Sequence, residues 1–201
     1  MKIALLSVLA SAALASALAA PALAQSAGDM TLGFGMAVVS PKSDNGTLAG
    51  AAATVNDSVR PSITFEYFLR DNIGLEVLGA LPFKHSIYLN GGYAGETKQL
   101  PPTISVNYHF ANASKFTPFV GVGLNYTKFF ETSSPLGDLK IDDSFGVAAH
   151  LGVDYAVSAK AALRLDLRYA KIGSDVHLNG ANIGKVEIDP LVTGVSYVIT
   201  F

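Results

Sequence analysis

The sequence contains no cysteine and no tryptophan, so disulfide and thiolate chemistry are excluded. Charge is scarce as well: 15% of residues are Asp, Glu, Lys or Arg, against about 25% in an ordinary soluble domain. Lys+Arg 14 against Asp+Glu 16 leave a formal charge of -2. No basic field is present to hold nucleic acid by counterion release, and no nucleic-acid partner is expected. Long apolar runs are missing beyond Gln25, where every stretch of about 18 residues is broken by charged or turn residues. Helical membrane spans are thereby ruled out.

One apolar run stands at the start. Met1 and Lys2 supply a positive charge, Ile3 to Ala20 is almost wholly Ala, Leu, Val and Ser, and Ala22-Leu23-Ala24 before Gln25 forms a small-x-small cleavage box. Residues 1–24 therefore predict a secretory signal peptide, and 25–201 a single exported domain.

Within that domain the apolar residues recur with a period of 2, the strand signature. Met30, Leu32, Phe34, Met36 and Val38 alternate with Thr31, Gly33, Gly35 and Ala37. Segments 61–69 and 73–83 follow the same rule on either side of a tight Asp71-Asn72 turn, as do 103–110 and 116–126, 145–155 and 163–169, and finally 191–201. That makes eight strands. Connections 41–60, 84–98, 131–142 and 173–186 are long, whereas 70–72, 111–115 and 158–160 are short. Strict alternation of this kind is expected of an outer-membrane barrel, with turns on one side and loops on the other.

Polarity agrees. One face of each strand is aliphatic or aromatic, while the other collects Glu66, Arg70, Glu76, Asn107, His109, Asn125, His150, Asp154, Arg164, Asp166 and Arg168 among small residues. So charged a face can point inward only if the outside is lipid. The fold class expected is all-β, an eight-stranded antiparallel transmembrane β-barrel of the outer-membrane type. Tyr67, Tyr108, Tyr126, Tyr155, Tyr169 and Tyr197 fall near strand ends on the apolar set, where an interfacial girdle belongs. Phe201, outward-facing at the end of the last strand, resembles the C-terminal aromatic by which such barrels are recognised for assembly.

Several stretches resemble the outer membrane protein W (OmpW) family, which includes the alkane-uptake protein AlkL. They are Ser40-Pro41, Asp71 to Glu76 through Pro82 to His85, Thr97 to Thr103, Phe116 to Thr127, Asp143 to Gly146, Gly152 to Tyr155 and Asp189-Pro190. Their order and spacing cover nearly all of the exported chain. The family often carries Trp in and near its strands, and this chain has none, so a gating role for such a Trp has no counterpart here. The resemblance implies a narrow lumen, apolar toward the outside and plugged toward the periplasm, through which small hydrophobic molecules enter and leave sideways into the outer membrane. It also implies that some members serve as receptors for colicins or phages.

Eight strands enclose space only for side chains or one small ligand. Glu66, Glu76, His109, His150, Asp154, Arg164, Asp166 and Arg168 are expected to form a polar network in the lumen, either blocking ions or simply satisfying one another. Pro82, Pro101 and Pro102 must loosen strand pairing, as a lateral opening or as ordinary strand ends. Phe83, Ile87, Tyr88, Leu89, Tyr93 and Leu100 around the second long connection, with Leu48 and Val55 in the first, are candidate walls of an apolar entrance. His85, His109, His150 and His177 lack metal-ligand spacing, and no metal or cofactor is expected. Ser144, His150 and Asp154 share one inward face by strand periodicity, with no nucleophile elbow or oxyanion signature, and no enzyme activity is expected. Gly121 and Gly123 lie inside a strand, where they relieve crowding in a narrow barrel. Two functions remain open: a passive conduit for small hydrophobic solutes from outside to outer-membrane lipid, or a surface barrel whose long connections dock a phage, a bacteriocin or a host surface.

Overall fold

A computed structural model describes residues 25–201; the signal peptide expected over 1–24 lies outside them. The chain forms fifteen strands: β1 (Met30–Ser40), β2 (Gly46–Leu48), β3 (Ala51–Val55), β4 (Ser58–Arg70), β5 (Ile73–Ala80), β6 (Phe83–Leu89), β7 (Gly92–Leu100), β8 (Thr103–His109), β9 (Phe116–Ser133), β10 (Leu139–Ile141), β11 (Ser144–Ser158), β12 (Ala161–Ala170), β13 (Gly173–Leu178), β14 (Ala181–Glu187) and β15 (Leu191–Thr200). Eight of them close a wall in the order β1-β4-β5-β8-β9-β11-β12-β15 and back to β1, antiparallel throughout. Closure leaves no open edge, the condition for a sheet to stand in lipid.

The wall is inside out relative to a soluble protein. Val122 and Phe145 are each 70% exposed, and Phe34, Ile63, Phe65, Val106, Leu151, Leu165 and Val195 also face outward. The six tyrosines expected in the girdle are all exposed. Tyr67, Tyr108, Tyr155 and Tyr197 sit toward the short turns, Tyr126 and Tyr169 toward the long connections, as two girdles require. Phe201 is exposed too, its backbone bonded to that of Met30 in both directions. Arg70 departs from expectation: a register irregularity between Phe68 and Arg70 turns its side chain out to the solvent and leaves Phe68 as the buried residue.

The long connections are not loops. Their strands continue the barrel outward as a second tier, in the order β9-β7-β6-β3-β2-β14-β13-β10. Thr132 Oγ1 donates to Leu139 O at 2.6 Å, returning β10 to β9. Polarity inverts between the tiers, because the upper one meets water outside and needs an apolar core inside. Along β9, Val120, Val122 and Leu124 face outward in the wall, whereas higher up Phe129 is buried and Lys128 exposed. Leu48, Ala53, Ile87, Phe129, Ile141, Ile172, Val176, Val186 and Ile188 pack as the core of this cap. Three of its hairpins turn through a left-handed residue and a glycine: Ala49-Gly50, Asn90-Gly91 and Asn179-Gly180, the geometry of the tight turns that match strand twist.

Candidate functional site: a plugged lumen beneath an interrupted wall

All eight residues expected in the lumen network are buried and joined. Arg164 centres it. Its Nε and Nη2 donate to the two carboxylate oxygens of Asp154 at 2.7 and 2.9 Å, and Nη1 donates to Glu76 at 2.8 Å. Nη2 also reaches Glu66 at 3.5 Å. Arg168 donates to Glu76 at 2.7 Å and to Asp166 at 3.0 Å. Glu66 meets His109 Nε2 at 2.9 Å and accepts from Asn107 at 3.1 Å. His150 faces Glu76 and Asp166 at 3.6 and 3.4 Å. Ser144 is engaged elsewhere, accepting from Gly173 N–H, and Asp154 belongs to Arg164, so the hydrogen bonds among the described residues join no triad.

Phe119 is part of this plug, although its chemistry gave no signal beyond an aromatic on the polar face of β9. The Arg164 guanidinium lies 4.5 Å from its ring centroid, and His109 and His150 pack on it at 4.9 and 4.8 Å. A Cβ at Gly152 would come within 2.5 Å of that ring. The ring and the ion pairs fill the periplasmic half of the lumen, which accords with the small interior of an eight-stranded barrel.

Above the plug lies an apolar cavity. Leu78, Ala80 and Phe83 line it from one side, Gln99, Pro101 and Thr103 from another, with Val39, Ile172, Pro190 and Val192 opposite and Arg168 and His150 at the network end. About 40 Å³ of it is open to the centre of a water-sized sphere. A second apolar cavity sits in the cap, among Leu48, Ile87, Leu89, Leu136, Leu139, Val176 and Ile183. The cap core runs from Leu48 and Ile87 down to Ala148, Ala170 and Ile172, so an apolar column connects the two.

Level with the lower cavity the wall is interrupted. The β5–β8 ladder ends at Leu78↔Thr103, and the β6–β7 ladder resumes at Phe83↔Gln99. An interruption beside the girdle, level with Tyr126, leaves polar backbone without partners at the edge of the lipid unless something else satisfies it. Pro82, Pro101 and Pro102 have no N–H to leave unpaired. Their carbonyls are capped: Arg60 Nε donates to Pro82 O at 2.9 Å, and Asn125 Nδ2 donates to Pro101 O and Pro102 O at 3.2 and 3.3 Å. Neither Arg60 nor Asn125 stands out as a site residue in the sequence, because capping depends on contacts across strands.

The opposite seam shows the contrast. Between Tyr169↔Leu191 and Gly173↔Glu187 the ladder also breaks, but Ile188 and Asp189 N–H both donate to Ile172 O. Asp189 accepts from Lys171 at 2.6 Å and from Ile172 N–H at 3.0 Å, and Lys42 stands 3.4 Å away. Burial alone would raise the Asp189 carboxyl, but these donors outweigh it and hold it below the usual carboxylate range. Its contribution to stability is therefore complete above the unfolded value of about 3.9 and lost as pH falls through the lower folded value. Asp189→Asn is expected to flatten the acid limb of a pH series of urea midpoints below about pH 4; an unchanged limb would show that this seam does not rely on the carboxylate.

The remaining entrance candidates divide. Leu48, Val55, Ile87 and Leu89 belong to the cap core, and Phe83 is buried at the cavity. Leu100, half-buried, closes β7 at the interruption. Pro102 borders a shallow groove on the lipid face with Leu124, Tyr126 and Phe145. Tyr93 is exposed, with Tyr88 edge-on to it at 6.1 Å, so this pair lies outside both cavities.

A family model described as the OmpW family matches residues 26–201. The chain belongs to the OmpW family. Outer membrane protein W of Vibrio cholerae is 38% identical over 200 residues, covering 90% of this chain and 92% of that protein. Outer membrane protein AlkL of Ectopseudomonas oleovorans is 27% identical over 164 residues, covering 76% and 71%. The crystal structure of the outer membrane protein OprG from Pseudomonas aeruginosa superposes with a TM-score of 0.78 at 30% identity, over 90% of this chain and 99% of that one. The chain is thus an outer-membrane barrel of the OmpW and AlkL type.

Proposed function

We propose that this OmpW-family barrel passes small hydrophobic molecules from the cell exterior through the cap into the lumen cavity. They leave sideways between Leu78↔Thr103 and Phe83↔Gln99 into the outer membrane. The observation that carries this reading is the unpaired, proline-lined seam opening from an apolar cavity that has a charged plug for a floor. A charged floor repels an apolar solute and occupies the axial path, so the side is the exit that costs least desolvation. No energy source is required, since partition into lipid draws the solute down its gradient.

The test is uptake of an apolar probe into liposomes holding the refolded chain, beside empty liposomes and a polar probe of similar size. Faster entry of the apolar probe alone is expected. Ile87→Asp with Leu89→Asp places two charges on the apolar column and should slow that entry about tenfold or more while the barrel stays folded. Entry equal to empty liposomes would refute the conduit.

A further inference from the structure

We propose that the lumen cavity selects slim, neutral molecules bearing one hydroxyl group on an apolar body, such as straight-chain alcohols. It prefers them to the hydrocarbon or the carboxylate of equal length. The proposal rests on the sideways-passage reading and names the solute class that the passage takes.

The cavity is apolar along Val39, Leu78, Ala80 and Phe83, yet four buried side chains on its wall carry polar atoms with no hydrogen-bond partner among the described residues. They are Gln99 Oε1, Ser105 Oγ, Arg168 Nη2 and the two ring nitrogens of His150. Their residues are 0%, 2%, 5% and 5% exposed. Such atoms are costly to leave unmet in apolar surroundings. Gln99 is fixed by its neighbour: His85 Nδ1 donates to Asn56 O at 2.6 Å, so His85 Nε2 accepts a Gln99 N–H at 3.0 Å. The Gln99 oxygen is left without a partner, as an acceptor on a residue of the cavity wall. Were the amide reversed, a donor would stand there instead, and a hydroxyl, being both donor and acceptor, meets either. Arg168 spends Nε on Asp166 and Nη1 on Glu76, leaving Nη2 as a donor.

A hydrocarbon satisfies none of these atoms. A carboxylate could accept from Arg168, but Glu66, Glu76, Asp154 and Asp166 already stand around the guanidinium groups of Arg164 and Arg168, with His109 and His150 beside them. Another negative charge is repelled. An ammonium head could donate to Gln99 Oε1 and Ser105 Oγ, but it leaves the Arg168 Nη2 donor unmet and must shed its hydration to enter an apolar cavity. The cavity has room for only a few waters, which restricts it to a small solute.

The chain in lipid nanodiscs is titrated with 1-hexanol, hexane and hexanoate, following the backbone amide signals of Leu78 and Ser105. Hexanol is expected to saturate these signals at about tenfold lower free concentration than either competitor, as expected when unpaired polar groups decide specificity. Gln99→Met and Ser105→Ala should each weaken hexanol about fivefold and leave hexane unchanged. If Gln99→Met fails to fold, Ser105→Ala and the three ligands on the unaltered chain decide. Hexane saturating as early as hexanol, or hexanol unaffected by the variants, overturns the selectivity. Silence from all three ligands while apolar-probe uptake persists overturns this site but not the passage; silence together with uptake equal to empty liposomes overturns both.

Discussion

Arg164→Ala is expected to cost the barrel about 3–5 kcal/mol, the penalty for removing one partner of a buried ion-pair network. Arg164 is 1% exposed and serves three carboxylates at once, those of Asp154, Glu76 and Glu66. Without it, Glu76 retains Arg168 and Glu66 retains His109 and Asn107, but Asp154 keeps no hydrogen-bond partner among the described residues. The Phe119 ring also loses the cation lying on its face. Arg164→Lys keeps the charge but offers a point cation in place of a planar fork, so it should fall between the two. Because the chain has no tryptophan, unfolding is best followed by far-UV circular dichroism or by the heat-dependent gel mobility of the folded barrel across a urea series. A midpoint for Arg164→Ala equal to that of the unaltered chain would show that the network fills the lumen without stabilising it.

The wall was legible because lipid imposes one rule on all eight strands. Apolar residues go out and polar ones in, and a period of 2 carries that rule for as long as the strand lies in the membrane. The same rule put the charges of the ion network on the inward face, and Arg70 with them, which the register irregularity after Phe68 instead turns out to solvent. It failed above the membrane, where water reverses the pattern within a continuous strand. β9 runs from an outward Leu124 to an inward Phe129, so one alternation read along its whole length breaks where the solvent changes. The second tier is also cut into short pieces, three residues each in β2 and β10, too brief for periodicity to register. Asn90-Gly91 and Asn179-Gly180 were the available signal, since Asn-Gly between apolar runs marks a tight hairpin. The three prolines pointed to the interruption, but the carbonyl caps from Arg60 and Asn125 that accompany it are contacts no local pattern encodes.

Bridging the seam is expected to stop passage altogether, and to do so reversibly. Ala80 and Pro101 line the cavity from opposite sides of the interruption, and the chain has no cysteine of its own, so Ala80→Cys with Pro101→Cys introduces the sole pair of thiols. A cleavable bifunctional thiol reagent across them should bring uptake of an apolar probe down to the rate of empty liposomes, and a reductant should restore it. The comparison that isolates the seam is Gly173→Cys with Glu187→Cys, register partners on β13 and β14 just above the opposite, hydrogen-bonded seam. Cross-linking there should leave uptake unchanged, because Ile172 O already holds that side closed through Ile188 and Asp189. Equal inhibition by both bridges would mean that the reagent acts by stiffening the cap, and no inhibition by either would place the exit elsewhere in the wall. The distinction matters physically. A wall in lipid can be left unpaired only where its polar backbone is already satisfied, and Pro82, Pro101 and Pro102 meet that condition through missing donors and capped acceptors.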